Sequence, residues 1–186
     1  MRRSTIFEFL NSQSTITGQK VRLRPRRTED AADEYRWRTD EELCRLDATI
    51  PIELTYSDFL ERYLIEMEYP GLTYTIAVDT LDGRHIGNCS LFNFDFLTGN
   101  AEVGIMIGEK SFWEQGYGRD ALKVFLQHIF QTSDIEMLLL RTLDWNKRAQ
   151  SCFVECGFTP CGTMTKDSYS FIVMEIKRSS VVAENQ

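Results

Sequence analysis

The sequence predicts one mixed α/β domain, a mostly antiparallel sheet with flanking helices. Three observations carry this. The chain has 186 residues, about one domain's length and enough to bury a core without disulfides or metals. Helix-like and strand-like segments alternate along it, and three strands follow one another through short turns, which makes them antiparallel neighbours. A later run, Met137 to Leu143, is apolar nearly throughout, as a central strand covered on both faces is.

The elements follow in order. Residues 1–18 read as a leader, 179–186 as a short tail, and 20–177 as the core of a single domain spanning 1–186. Lys20 to Arg24 alternates and stops at Pro25, a strand. Thr28-Glu29-Asp30 offers helix-start chemistry for Ala31 to Arg38. Thr55 with Asp58 makes a capping box before Phe59, Leu60, Tyr63, Leu64 and Met67, which recur at helical spacing until Pro70-Gly71. Tyr74 to Val78 is a strand, Asp82-Gly83 its turn, and Ile86 to Phe94 its partner. Thr98-Gly99-Asn100 turns into Ala101 to Ile107. After a loop over 108–115, Ala121, Leu122, Phe125, Ile129 and Phe130 form one helical face. Met137 to Leu143 follows, then a helix over Asn146 to Cys156 ended by Gly157, then a hairpin of Thr159 to Thr165 and Tyr169 to Lys177.

Composition excludes several classes. Apolar residues are 42% and charged residues 26%, as in ordinary globular proteins. No apolar run approaches the ~20 residues of a membrane span. Glu8, Asn11 and Gln13 stand where a signal peptide needs an apolar core, so a cytoplasmic protein with no membrane partner is expected. The net charge of −7 argues against nucleic acid. Residues 41–80 hold nine acidic and two basic groups, either a solvated helix face or a field that draws in a cation. The five cysteines contain no CxxC, and His85 and His128 lie far apart. No metal site is expected, and free thiols in a reducing compartment are the simplest account.

The informative stretch is Trp113-Glu114-Gln115-Gly116-Tyr117-Gly118-Arg119-Asp120-Ala121. Two glycines sit where a loop becomes a helix. They let backbone N–H groups approach an anion, and the helix N-terminus adds partial positive charge. A plain glycine-rich turn is the bland alternative. A P-loop is excluded, because GxxxxGK[ST] is absent. Gly116, Gly118 and Ala121 match the dinucleotide pattern GxGxxA literally. That motif directly follows a strand, whereas eight residues intervene here after Ile107.

The whole chain from 20 to 177 resembles the GCN5-related N-acetyltransferase (GNAT) family, in the branch of ribosomal-protein N-terminal acetyltransferases and spermidine acetyltransferase. Gly116 and Gly118 fill the small positions of its Q/R-x-x-G-x-G/A loop, and Trp113 replaces the leading Gln or Arg. Leu23-Arg24-Pro25 with Asp30, Gly83 to Gly87, Ala101 to Ile105, and Asn146, Ala149, Gly157 and Phe158 resemble its other motifs, in order.

The resemblance implies a GNAT-like sheet splayed between the fourth and fifth predicted strands, with acetyl-CoA lying in the splay as co-substrate. Met106 and Ile107 would pair their backbone with the pantetheine amides. Gln115, Gly116, Tyr117, Gly118 and Arg119 would offer N–H groups to the pyrophosphate, with Arg119 adding charge. Asn146 and its helix, with Phe153, would flank the other side. Many relatives protonate the leaving thiolate with a tyrosine where this chain has Phe153, so Tyr117 and Tyr169 are the substitutes to consider.

Direct acetyl transfer to an amine benefits from a base. Glu102, between apolar neighbours, is the candidate, and a carboxylate paired to a cross-strand cation is its bland reading. Asp95 and Asp120 are weaker candidates, Asp120 being suited to the helix dipole. A covalent route through Cys89, Cys152, Cys156 or Cys161 lacks an evident activating base. The acceptor would lie among the first helices, with Trp37, Asp40, Glu41, Glu42, Asp47 and Glu66. A cationic small molecule or a protein N-terminus is therefore expected, and a homodimer stays open. The alternative is a domain that binds acyl-CoA without chemistry.

Overall fold

Eight strands build one sheet in the computed structural model, which describes residues 15–183. They are β1 (Ile16–Thr17), β2 (Val21–Pro25), β3 (Tyr74–Thr80), β4 (His85–Asp95), β5 (Asn100–Ile107), β6 (Met137–Leu143), β7 (Thr159–Lys166) and β8 (Tyr169–Lys177). The order across the sheet is β1-β2-β3-β4-β5-β6-β8-β7. Every neighbouring pair is antiparallel except β5 and β6. Those two pair over only Asn100↔Met137, Ala101↔Leu138 and Glu102↔Leu139, then part. This is the mixed, mostly antiparallel, splayed sheet that the sequence predicts.

Side-chain alternation gives the two sheet faces different jobs. Cys89, Leu91, Ala101 and Val103 join the core with Phe125 and Ile129 of helix α4 (Tyr117–Thr132). Their alternates Asn88, Ser90, Gly104 and Met106 line a cavity shared with helices α1 (Ala31–Thr39) and α3 (Tyr56–Glu68). The Thr55 cap forms as expected: its hydroxyl accepts from the Asp58 N–H at 3.2 Å. Gly83, Gly99 and Gly157 close their turns at positive φ.

The opening Leu-Arg-Pro motif has a physical purpose. Arg24 holds Asp79 through Nε and Nη2 at 2.6 and 2.9 Å, and Asp30 through Nη1 and Nη2, both at 2.7 Å. All three side chains are buried. Burial alone would raise the Asp30 carboxyl, but the Arg24 hydrogen bonds, the nearby His85 and the Arg27 N–H hold it below the usual range.

Three elements fall outside the sequence expectation. Ile16–Thr17, within the expected leader, add a short edge strand to β2. Helix α2 (Glu41–Leu46) starts where Asp40 accepts from the Leu43 N–H at 3.0 Å. Six residues are too few to show a periodic face, so it left no sequence signal. Within the expected tail, Arg178–Ala183 form helix α6 after α5 (Lys147–Glu155). The rest of the leader and tail, 1–14 and 184–186, lies outside the described residues. No described helix is long and apolar enough to cross a membrane.

Candidate active site

Gly116 stands at φ 83° as the cap of α4, a conformation that glycine adopts without strain. The first N–H groups of a helix have no partner within it, and Asp120 is the first here to find one, on the Gly116 carbonyl at 3.0 Å. The N–H groups of Tyr117, Gly118 and Arg119 thus form an anion cradle with the dipole behind them.

Beside the cradle opens a cavity of about 360 Å³, lined by Ile107, Trp113, Gly118, Arg148, Cys152 and Phe153 among others. Trp113 donates from Nε1 to the Ile107 carbonyl at 2.7 Å. Its ring carries the Arg148 guanidinium at 3.8 Å from the centroid. Arg148 makes no ion pair among the described residues, so it is the available cation. Arg119 is instead paired with Glu155 of α5. Arg148 was missed because its partner ring lies 35 positions away in the sequence. Gln115 turns its side chain back onto the Ser111 carbonyl at 2.5 Å, while its own carbonyl accepts from Lys20 Nζ at 3.0 Å. The Tyr117 ring packs edge-on against Phe112, 4.9 Å between centroids, and does not line the cavity.

A second cavity, about 330 Å³, fills the splay. Asn146 lines it and caps α5, its Oδ1 accepting from the Ala149 N–H at 3.2 Å. Phe153 lines both this cavity and the first, and Tyr169 lines this one. Of the two tyrosines expected to replace the missing phenol, only Tyr169 lines one of the cavities.

Glu102 also reaches this cavity, but its carboxylate is engaged. Arg141 of β6 donates Nε to Oε1 at 2.5 Å and Nη2 to Oε2 at 2.6 Å. Asn93 adds a bond to Oε2 at 2.9 Å. Both oxygens of the expected base thus accept from fixed donors, the cross-strand ion pair of its bland reading. Asp120 accepts from the Gln19, Lys20 and Val21 N–H groups at 3.2, 2.7 and 3.1 Å. Asp95 caps its turn through Thr98 and Leu97, whose hydrogen bonds hold its carboxyl down. Both weaker candidates are structural.

The third cavity, about 530 Å³, lies under α1 and α3. Of the six residues expected near the acceptor, Asp47 and Glu66 line it. Trp37 is buried and donates to Glu109 at 3.1 Å. Asp40 and Glu42 hold Lys110 at 2.9 and 2.7 Å, and Glu41 is exposed. The side chain of Met106 points here, although its backbone was expected at the cofactor.

Sequence reasoning also missed Glu34, which lies in the middle of α1 without a motif. Its Oε1 is buried with no hydrogen-bond partner among the described residues, and Oε2 is 3.7 Å from Arg26. Burial pushes this carboxyl up, against the opposing pull of Arg26 and His85.

The cavities adjoin. The first two share Ile105, Ala149 and Phe153, and the second and third share Asp47, Phe92, Gly104 and Ile105. An anion cradle, a splay and a pocket under helices thus meet around Ile105. Among the thiols, exposed Cys161 is raised by partial burial and by the Glu175 carboxylate beside it. His85 stacks on Trp37 and bonds the Gly87 carbonyl. Burial raises the Cys89 thiol strongly. Cys152 is lowered by its hydrogen bond with Cys156, which is raised in turn.

Comparison with known proteins follows this geometry. The family model described as an acetyltransferase (GNAT) domain matches residues 20–159. Spermidine N-acetyltransferase from Vibrio cholerae, in complex with CoA and spermine, superposes with a TM-score of 0.78. It is 18% identical and covers 87% of this chain and 98% of its own. Aminoglycoside acetyltransferase AAC(6')-Ib with coenzyme A and kanamycin gives 0.74 at 19% identity, covering 89% and 99%. A GNAT-family acetyltransferase from Bacillus anthracis gives 0.75 at 12%, covering 89% and 99%. At such identities the likeness is one of fold. No curated protein sequence matches.

Proposed function

The chain belongs to the acetyltransferase (GNAT) family and is an acetyl-CoA-dependent N-acetyltransferase; from that premise we propose that its acceptor is a primary amine on a cationic small molecule. The observation that carries this is the junction of the third cavity with the splay at Asp47, Phe92, Gly104 and Ile105. An amine entering under the helices meets the acyl donor there without crossing bulk water.

The residues present suit the co-substrate. The N–H groups of Tyr117, Gly118 and Arg119, behind Gln115 and Gly116, receive the pyrophosphate, and Arg148 supplies charge. The backbone of β5 beyond Glu102, including Met106 and Ile107, has no strand partner on the splay side. It offers edge groups to the pantetheine amides, except the Ile107 carbonyl that Trp113 occupies. Asn146 and Phe153 flank the arm from α5. Tyr169 is the phenol in reach of the departing sulfur. The acetyl group moves directly from the thioester to the amine.

The charge count of the acceptor cavity is even, with Arg26, Arg38 and Arg62 facing Glu34, Asp47 and Glu66. Arg26 is paired with Glu66 at 2.9 Å and Arg62 makes no ion pair among the described residues, while Glu34 Oε1 accepts no hydrogen bond there and Asp47 meets Arg38 only at 3.7 Å. An ammonium group supplies the missing donors. The spermidine and aminoglycoside enzymes of like fold act on such amines. The five cysteines, free in the structure, lead us to place the protein in the cytoplasm.

The test is CoA release from acetyl-CoA with spermine, kanamycin, butylamine and an alanine-starting peptide. Turnover of the multivalent amines with a KM that rises with salt supports the reading. Equal, salt-independent turnover of butylamine, whose one charge is the reacting ammonium itself, removes the need for further cationic charge on the acceptor. Preference for the peptide moves it to a protein N-terminus.

A further inference from the structure

We propose that Asp47 is the proton acceptor for the attacking amine. This rests on the acetyltransferase reading and adds the residue that makes the amine nucleophilic.

Four residues line both the splay and the acceptor cavity: Asp47, Phe92, Gly104 and Ile105. Asp47 alone among them is titratable. The amine must meet the thioester where these cavities join, so the base has to stand there. Glu102 lies deeper in the splay with both oxygens engaged by Arg141 and Asn93. Glu34 lines only the acceptor cavity.

Local structure presents Asp47 for this work. It caps the C-terminal end of α2, and the next residue, Ala48, has φ 52°. A non-glycine residue in the left-handed region marks a turn that the surroundings hold against its preference. The nearest cation, Arg38, stands at 3.7 Å, beyond hydrogen-bonding distance. Half of the Asp47 side chain is accessible, so a substrate can touch it. Partial burial pushes the carboxyl up from its ordinary value, with Arg38 opposing, the direction that suits a base.

The other charged groups around the junction each line only one of the two cavities. On the splay side they are the Glu102–Arg141 pair and Lys166 and Asp167 of the β7–β8 turn. On the acceptor side they are Arg26, Glu34, Arg62 and Glu66.

The reaction balances as follows. Asp47 takes one proton from the ammonium, leaving a neutral amine. Its lone pair forms the C–N bond to the thioester carbonyl carbon while the C–S bond breaks, its electron pair leaving on sulfur. One nitrogen proton passes to that sulfur, giving free thiol, and the last stays on the amide. Asp47 returns its proton to water.

The experiment compares wild type, Asp47→Asn and Asp47→Glu, with spermine, kanamycin and butylamine as probes and CoA release as readout across pH. Wild-type activity should fall with decreasing pH as Asp47 protonates. Asp47→Asn should lose 100-fold or more in kcat and lose that acid limb, and Asp47→Glu should recover part of both. All three should keep the same thermal shift with acetyl-CoA, which shows an intact fold and cradle. Asp47→Asn with wild-type kcat and an unchanged pH profile overturns the proposal while the acetyltransferase reading stands. A wild type that releases no CoA with any probe overturns the acceptor reading first, and this proposal with it.

Discussion

Glu102 of β5 and Arg141 of β6 clasp each other through two hydrogen bonds, 2.5 and 2.6 Å long. Glu102 stands on the last paired rung, opposite Leu139, and Arg141 two residues beyond it, so the ion pair bridges the strands where they part. Glu102→Gln should lower stability by about 2 kcal/mol, the range for hydrogen bonds to charged groups. That is about 4–8 °C in Tm at this size. Arg141→Ala combined with it should add less than the separate losses, since the two residues share one interaction. A thermal melt of the double-mutant cycle checks this, and full additivity would deny the clasp.

Glu34 makes a prediction of opposite sign. Its folded carboxyl is raised above the unfolded value, so the native state binds that proton more tightly. Its contribution is favourable below the unfolded pKa and is lost as pH rises through the folded one. Glu34→Gln should therefore raise stability near pH 7 by roughly 1 kcal/mol, by removing a buried charge whose Oε1 has no donor. The advantage should shrink toward pH 4. Urea midpoints at both pH values decide it.

Asp30 behaves the other way. Its folded carboxyl is depressed, so its stabilisation is present above the unfolded value and disappears as pH falls through the folded one. Asp30→Asn should cost about 3 kcal/mol at neutral pH, because Arg24 is left with a buried, half-met charge. The cost should diminish in acid, as urea titration at several pH values will show.

Gly116 and Arg148 separate backbone from charge in the anion cradle. Gly116→Ala must place a side chain at φ 83°, costing about 1–2 kcal/mol, and should also weaken CoA. Arg148→Ala should weaken CoA about tenfold, the worth of roughly one charge-assisted hydrogen bond, with Tm unchanged. Calorimetric titration with CoA beside melts of the apo variants distinguishes them. Equal affinity in Arg148→Ala would mean that the guanidinium serves only the Trp113 ring.

Much of this was readable because some signals are local. The glycine cap at 116, the Thr55 box, the Asn146 cap and the apolar Met137 to Leu143 run each announce an element within a few residues. The splay followed from family resemblance rather than periodicity. Pairing across the fold stayed hidden. Nothing near Glu102 in the chain reveals Arg141, 39 positions on, and nothing near Trp113 reveals Arg148. Only Asp47 and Glu66 of the six expected acceptor residues line the third cavity, for a related reason. Acidity in 41–80 was legible, but Lys110, which holds Asp40 and Glu42 at the surface, comes from another segment. Glu34 lies outside the acidic stretch altogether.

The three backbone bonds that Asp120 accepts from Gln19, Lys20 and Val21 have a dynamic consequence. They bolt the entry of β2 to the tip of the helix proposed to receive the pyrophosphate. Local opening of that entry must release the same carboxylate that sits in the first turn of the cradle. Whatever rigidifies the helix tip should therefore slow solvent exchange at these three amides, far along the chain from the loop itself. The start of β2 becomes a natural gauge of cradle occupancy, readable by hydrogen exchange with no acceptor amine present.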